Sequence, residues 1–253
     1  MRKVLSLLLL VPILALASPS TVVYNMTNQK VVIGSLDSSE VSIASISKLM
    51  TVYTILKEDQ DMSEHLTVHS KQTPNTKIAK GMILTRYDLV NLALIRSDNL
   101  AAITLAENYP GGYTRFVHKM NIHAEELGMH HTRFIEPTGL SPMNYSSIED
   151  IVTLTSEVSK YDMVKFAAKS TTIVAENVRG KKPVKVGGNS TSKYFGKEGV
   201  VTIKTGFTRA AGYCITMLVK ANDQMYNVIV LGARTAHERQ LLVEKSLKAI
   251  YSA

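Results

Sequence analysis

The apolar positions of this chain change period along its length, and the changes divide it into segments. Near the start, residues 21–26 and 30–34 read as two short strands around Thr27-Asn28, a hairpin. Ile46, Leu49, Met50, Tyr53 and Leu56 then recur at helical spacing. A polar stretch over 59–81, containing Pro74, predicts loop with short strand pieces. Thr85, with Asp88 three residues on, caps a helix whose apolar face is Leu89, Leu92 and Ala93. Ser97-Asp98-Asn99 falls at the junction with a further helix, which Pro110-Gly111-Gly112 breaks. Residues 113–127 form the next helix, with Gly128 as its stop, and Pro137-Thr138-Gly139 marks a turn. Ser147 caps another helix, with Asp150 three residues later.

Beyond about residue 170 the period shortens. Residues 171–178, 200–204, 212–220 and 225–231 read as strands, with Asn222-Asp223 a hairpin turn between the last two. A closing helix over 236–250 carries Leu241, Leu242, Leu247 and Ile250. The expected fold is α+β. Strands from both chain ends share an antiparallel sheet flanked by helices, and a helical lobe of about residues 60–165 is inserted between them. A cleft between two such lobes is a usual place for a site.

Length and composition fit this picture without narrowing it. The 253 residues suffice for one large core, and 45% hydrophobic and 20% charged residues describe an ordinary globular chain. Residues 1–17 stand apart. Arg2 and Lys3 precede an apolar run that ends in Ala15-Leu16-Ala17, the layout of a secretory signal peptide cleaved after Ala17. An uncleaved anchor is the competing reading, although the run is short for a membrane span. An exported mature protein over residues 18–253 is expected. Without Arg2 and Lys3 the balance is 27 basic to 21 acidic residues, which suits a polyanionic wall or a merely basic surface. No basic run interleaves with aromatics, so nucleic acid is not an expected partner. Cys214 is the only cysteine and sits in an apolar strand, where a buried inert thiol is expected. The seven histidines form no zinc pattern; His65 and His69 are four apart but lack a carboxylate at a telling spacing.

Chemistry collects around three short motifs. Ser45-Ile46-Ser47-Lys48 opens the first helix and puts a hydroxyl and an amine three residues apart on one face. Alone it is no more than a polar helix start. A second copy, Ser190-Thr191-Ser192-Lys193, lies in a Gly/Ser/Lys loop with no helical face behind it and reads as a decoy. Ser97-Asp98-Asn99 follows Ser45 by 52 residues, and Lys204-Thr205-Gly206, expected at a strand end, follows Ser97 by 107. That trio in that order marks penicillin-binding proteins and class A β-lactamases.

The chain further resembles the D-alanyl-D-alanine carboxypeptidase and endopeptidase family, the low-molecular-mass penicillin-binding serine peptidases. The blocks ASISKLMT, SDNLAAITLAE, FVHKMNIHAEELGMHHTRFIEPTGL and TIKTGFTRAAGYC carry the resemblance, which spans about 22–250. It implies a β-lactamase/transpeptidase-like fold, no cofactor and no metal. It also implies peptidoglycan peptides as substrates and β-lactams as covalent inhibitors. The residue roles it implies are Ser45 as nucleophile, Lys48 as its base, and Ser97 as proton relay to the leaving amine. Asn99 would hold the substrate amide, and Lys204, Thr205 and Gly206 its carboxylate end. The backbone N–H groups of Ser45 and Phe207 would form the oxyanion hole, and Arg234 would assist the carboxylate.

Two other readings stay open. Class A β-lactamases share the trio and use a glutamate to drive water onto the acyl-enzyme; Glu136 lies 37 residues beyond Asn99. A non-catalytic wall-binding homologue would keep the fold without turnover. Within the peptidase reading, carboxypeptidase and endopeptidase are both possible. The chain has no room after Ile250 for the C-terminal β domain and amphipathic anchor of many carboxypeptidases, which resembles the soluble endopeptidase branch. A second departure from the family pattern is Gly188-Asn189-Ser190-Thr191, where an Asn-rich block is common.

Overall fold

A computed structural model describes residues 19–71, 73–178, 184–186 and 192–252. The signal-peptide segment, Gly188-Asn189, and Ser190-Thr191 of the second Ser-x-x-Lys copy lie outside the described residues. Strands β1 (Ser20–Asn25) and β2 (Lys30–Ile33) form the expected N-terminal hairpin. After β3 (Val41–Ser42), a 3₁₀ turn at Ala44–Ser47 leads into α1 (Lys48–Lys57). The short strands β4 (His65–Thr67) and β5 (Ile83–Thr85) pair with each other. Helices α2 (Arg86–Ile95), α3 (Asn99–Glu107) and α4 (Gly112–Glu126) follow. Then come β6 (Tyr145–Ser146), paired with β3, and helices α5 (Ile148–Val158) and α6 (Asp162–Lys169). A small hairpin, β7 (Ile173–Ala175) with β8 (Val184–Val186), precedes β9 (Val200–Thr208), β10 (Gly212–Ala221), β11 (Gln224–Ala233) and the closing α7 (Ala236–Tyr251).

Strands from the two chain ends form one antiparallel sheet in the order β2-β1-β11-β10-β9. Its period of two serves two cores. Val22, Ile229 and Leu231 pack with the helical lobe, while Val23, Val228 and Val230 pack with Val243 and Ile250 of α7. Between α5 and the sheet, Thr155 shares a buried 2.9 Å hydroxyl bond with Thr216, which also accepts from Asn227 at 3.2 Å. Unpaired, those groups would cost 1 kcal/mol or more apiece, on the order seen for other buried polar atoms, so the link fixes lobe to sheet.

The caps read from sequence recur as bonds: Thr85 and Ser147 accept from the N–H of Asp88 and Asp150, both at 3.1 Å. Asn222 and Asp223 both take positive φ in the β10–β11 turn, as two-residue hairpins require. Two expectations need correcting. Lys204-Thr205-Gly206 lies within β9 and not at a strand end, because Gly206 and Phe207 continue the ladder opposite Cys214 and Tyr213. Ladder pairing outweighs the poor strand propensity of glycine. In α7, Leu241 is exposed, and the buried stripe is Arg239, Val243, Ser246 and Ile250.

Candidate active site

Ser45 sits in the 3₁₀ turn, one step before α1. Three residues per turn bring positions i and i+3 into line, and Lys48 Nζ lies 3.0 Å from Ser45 Oγ. The amine is fully buried and donates to two further oxygens, Asn99 Oδ1 and the Thr138 carbonyl, both at 2.6 Å. As an ammonium Nζ donates to all three oxygens; on losing a proton it keeps two N–H groups for Asn99 and Thr138 and frees a lone pair toward the serine hydroxyl. Burial pulls the Lys48 pKa down to about 7, against the pull of Glu136 and Asp98 in the other direction. A lysine poised there can take a proton at neutral pH.

The second lysine closes the other side. Lys204 is 1% exposed and donates to Ser97 Oγ and to the Thr205 carbonyl, both at 2.8 Å. Burial first, then the neighbouring cations Lys48 and Arg239, hold its pKa well below that of a free lysine. Ser97 adopts φ +55°, a conformation that costs a serine on the order of 1 kcal/mol and is maintained by its surroundings. Asn75 supplies that support, donating to the Ser97 carbonyl at 2.9 Å, and Asn99 Nδ2 donates to the Pro74 carbonyl at 2.6 Å. Asp98 between them caps α3 at Ala101 and accepts from Thr76 and Lys77. Capping therefore falls to Asp98, which leaves the side chains of Ser97 and Asn99 to the two lysines.

Two glycines set the position of Ser45. A Cβ on Gly206 would lie 2.8 Å from Ser45 N, so β9 runs directly against the 3₁₀ turn. A Cβ on Gly139 would lie 1.9 Å from the Ala44 carbonyl oxygen, and its φ of +79° already favours glycine. The 136–141 turn is held by Glu136, whose carboxylate accepts from the N–H groups of Thr138 (2.7 Å), Gly139 (2.6 Å) and Ser141 (3.3 Å) and from the Thr138 hydroxyl (2.5 Å).

A cavity of about 360 Å³ opens over these groups, lined among others by Ser45, Ser97, Asn99, Thr205, Gly206 and Phe207. Its arginine is Arg239. Arg234 is not among its lining residues; it lines a neighbouring cavity, and its backbone N–H is tied to Glu238 at 2.6 Å. Arg239 belongs to the buried stripe of α7 and donates to the Cys214 carbonyl at 3.4 Å. An arginine at i−4 from Val243 in a buried stripe was the available signal. Lys193 of the second Ser-x-x-Lys copy pairs with Glu244 on the surface at 2.5 Å. Cys214 is buried, which pushes its thiol up to about 11, so it is not a competing nucleophile.

A half-buried serine with a buried lysine, facing a buried serine–lysine pair beside an edge strand, can perform acyl transfer. A family model described as D-alanyl-D-alanine carboxypeptidase matches residues 11–235. The chain belongs to that family. The D-alanyl-D-alanine endopeptidase of Escherichia coli (strain K12) is 33% identical over 223 residues, covering 86% of this chain and 72% of the relative. The protein of the same name from Pseudomonas aeruginosa is 34% identical over 226 residues, with the same coverage. Penicillin-binding protein D2 of Listeria monocytogenes, solved with ampicillin bound, is 27% identical with a TM-score of 0.77, over 91% of this chain and 95% of that one. The architecture of this chain is thus shared with a solved penicillin-binding protein.

Proposed function

We propose that the protein is a serine D,D-peptidase that opens D-alanyl bonds of peptidoglycan stem peptides through an acyl-enzyme on Ser45. The supporting observation is the environment of Lys48: a buried amine, lowered to about 7, with Ser45 Oγ as its third partner. Neutral Lys48 takes the hydroxyl proton as Ser45 Oγ attacks the D-alanyl carbonyl carbon. The N–H groups of Ser45 and Phe207 receive the oxyanion, each worth on the order of 3 kcal/mol. Ser97 relays a proton to the departing nitrogen and regains one from protonated Lys48, the C–N bond breaks, and water later hydrolyses the acyl-serine. After bonding Pro74, Asn99 Nδ2 keeps one hydrogen for a substrate carbonyl. Lys204, Thr205 and Arg239 hold the leaving residue's carboxylate. Its charge pushes Lys204 back toward the ammonium form. β9 is an edge strand, so an extended peptide can lie along it.

Export, with residues 1–17 as a cleaved signal peptide, periplasmic or secreted location, a role in cell-wall remodelling and cell shape, and covalent inhibition by β-lactams belong to the same proposal. Among the described residues no helix is long and apolar enough to cross a membrane. The endopeptidase names of the relatives at 33% and 34% identity favour the cross-link as the bond cleaved. Incubating the protein with pentapeptide monomers and with cross-linked dimers, and weighing the products, tests this. Dimers split to monomers are the expected result. Neither splitting nor release of D-alanine from either substrate would leave a non-catalytic wall-binding protein.

The β-lactamase reading is disfavoured by Glu136, whose four accepted bonds go to its own turn. Glu136→Gln is expected to destabilise the fold by about 2 kcal/mol, since an amide cannot accept on both sides. It also removes a charge that raises the Lys48 pKa. The midpoint of the acylation–pH profile therefore moves below 7, while hydrolysis of the penicilloyl-enzyme changes by less than about threefold. Loss of that hydrolysis would instead mark Glu136 as its base.

A further inference from the structure

The segment 73–78 forms neither helix nor strand, yet it bonds to every residue of Ser97-Asp98-Asn99. The Asn99 N–H donates to the Asn75 carbonyl at 3.2 Å, and Asn99 Nδ2 donates to the Pro74 carbonyl at 2.6 Å. Asp98 accepts from the Thr76 hydroxyl at 2.8 Å and from the Lys77 N–H at 2.7 Å. These bonds dock the segment on the motif, and none of them involves Ser97. Ser97 is held by one side chain of the segment, Asn75, whose Nδ2 donates to the carbonyls of Arg96 at 3.3 Å and of Ser97 at 2.9 Å.

Those two carbonyls belong to the rigid peptide planes on either side of the Ser97 Cα. A single nitrogen bonded to both, with one hydrogen for each, fixes the rotation between the planes, which is the φ/ψ pair of Ser97. That pair includes a φ of +55°, which a serine abandons when nothing holds it there. Abandoning it swings the Cα–Cβ bond and carries Oγ away from Lys204 Nζ, now 2.8 Å distant. Asn75 has a φ of +53° itself, a region that asparagine enters more readily than most residues.

We propose that Asn75 is a positioning residue for proton transfer to the leaving group, acting through Ser97 by holding the backbone that aims its hydroxyl. This rests on the reading of Ser45 as the acylated residue and of Ser97 as the relay. In amide cleavage the Ser97 proton goes to the nitrogen as the C–N bond breaks, and the Lys48 ammonium replaces it. A thioester makes no such demand. Its C–S bond breaks with the electron pair on sulfur, a thiol being acidic enough to leave as thiolate, and Lys48 returns its proton to solvent. A misplaced Ser97 therefore slows an amide and spares a thioester.

The test is Asn75→Gly, which permits the positive φ and keeps the backbone carbonyl that Asn99 uses, but has no donor for Ser97. The amide substrate is the cross-linked dimer, and the thioester carries the same D-alanyl acyl part with sulfur in place of the leaving nitrogen. For both, kcat/KM reads acylation. The amide-to-thioester ratio of kcat/KM is expected to fall about tenfold from its wild-type value. Asn75→Asp, which keeps the size of the side chain but cannot donate, should give the same fall. In a Ser97→Ala background Asn75→Gly should change the amide rate by less than about twofold, because the residue through which Asn75 acts is gone. Thioester turnover shows that each variant is folded. A wild-type ratio in the variants, or the full tenfold loss repeated in the Ser97→Ala background, overturns the positioning role and leaves the assignment of Ser45 standing. Failure of the wild-type protein to cleave the amide overturns the relay, and failure with both substrates overturns the assignment of Ser45; the role of Asn75 falls with either.

Discussion

Lys48→Arg is expected to slow acylation by penicillin about 10³-fold, the usual range for loss of a general base. Arginine places a permanent charge near Nζ's position and has more donors than Asn99 Oδ1 and the Thr138 carbonyl can accept, and it has no lone pair to offer Ser45. In the proposed mechanism the reactive form is neutral Lys48, with a pKa of about 7. Because the neutral fraction grows as pH rises through the pKa, acylation is slow at pH 6, where about a tenth is neutral, and near its ceiling at pH 8. Stopped-flow acylation with a fluorescent penicillin from pH 5 to 9 reads both effects. The wild-type profile should rise with a midpoint near 7, and the variant profile should be low and lack that limb. A variant that retained the limb would place the titrating group elsewhere.

Gly139→Ala is the second large effect, and it acts through the backbone. The new Cβ would stand 1.9 Å from the Ala44 carbonyl oxygen and 2.9 Å from Ser45 N, both backbone atoms of the turn that carries Ser45. Either the 136–141 turn or the Ser45 turn must give way. A cost of about 4 kcal/mol, lowering Tm by about 10 °C, is expected. A displaced Ser45 should also slow acylation about 10²-fold, as a shift of roughly 1 Å does. Gly81→Ala is the control. Gly81 also has positive φ, +88°, but nothing lies within 4 Å of its added Cβ. It should lose only about 1 kcal/mol and no activity. Equal losses in thermal melts of the two variants would mean that the contact with Ala44 does not set the position of Ser45.

Much of the fold was legible because local signals and tertiary packing agree. The caps at Thr85 and Ser147, the Asn222-Asp223 turn and the apolar runs of β10 and β11 each specify the element that forms. The strand extending through Lys204-Thr205-Gly206 was not legible, since only β10 opposite explains why a glycine continues a ladder. The three motifs could be found as residue types in order, yet their division of labour needed coordinates. Ser97 looks like a helix cap in sequence, but Asp98 caps and Ser97 goes to Lys204. Glu136 looks like a water-activating base, but it is spent on Thr138, Gly139 and Ser141. Arg234 and Arg239 lie five residues apart in one helical entry, and only the direction of α7 shows that Arg239 reaches the cavity over Ser45.

The central claim is that Ser45 becomes acylated, and whole-protein mass spectrometry after exposure to benzylpenicillin tests it most directly. The wild-type protein should gain the mass of one penicilloyl group, located by digestion to the peptide that contains Ser45, and Ser45→Ala should gain none. A stable adduct on Ser45→Ala, or an adduct in the wild type on any other residue, would contradict the account.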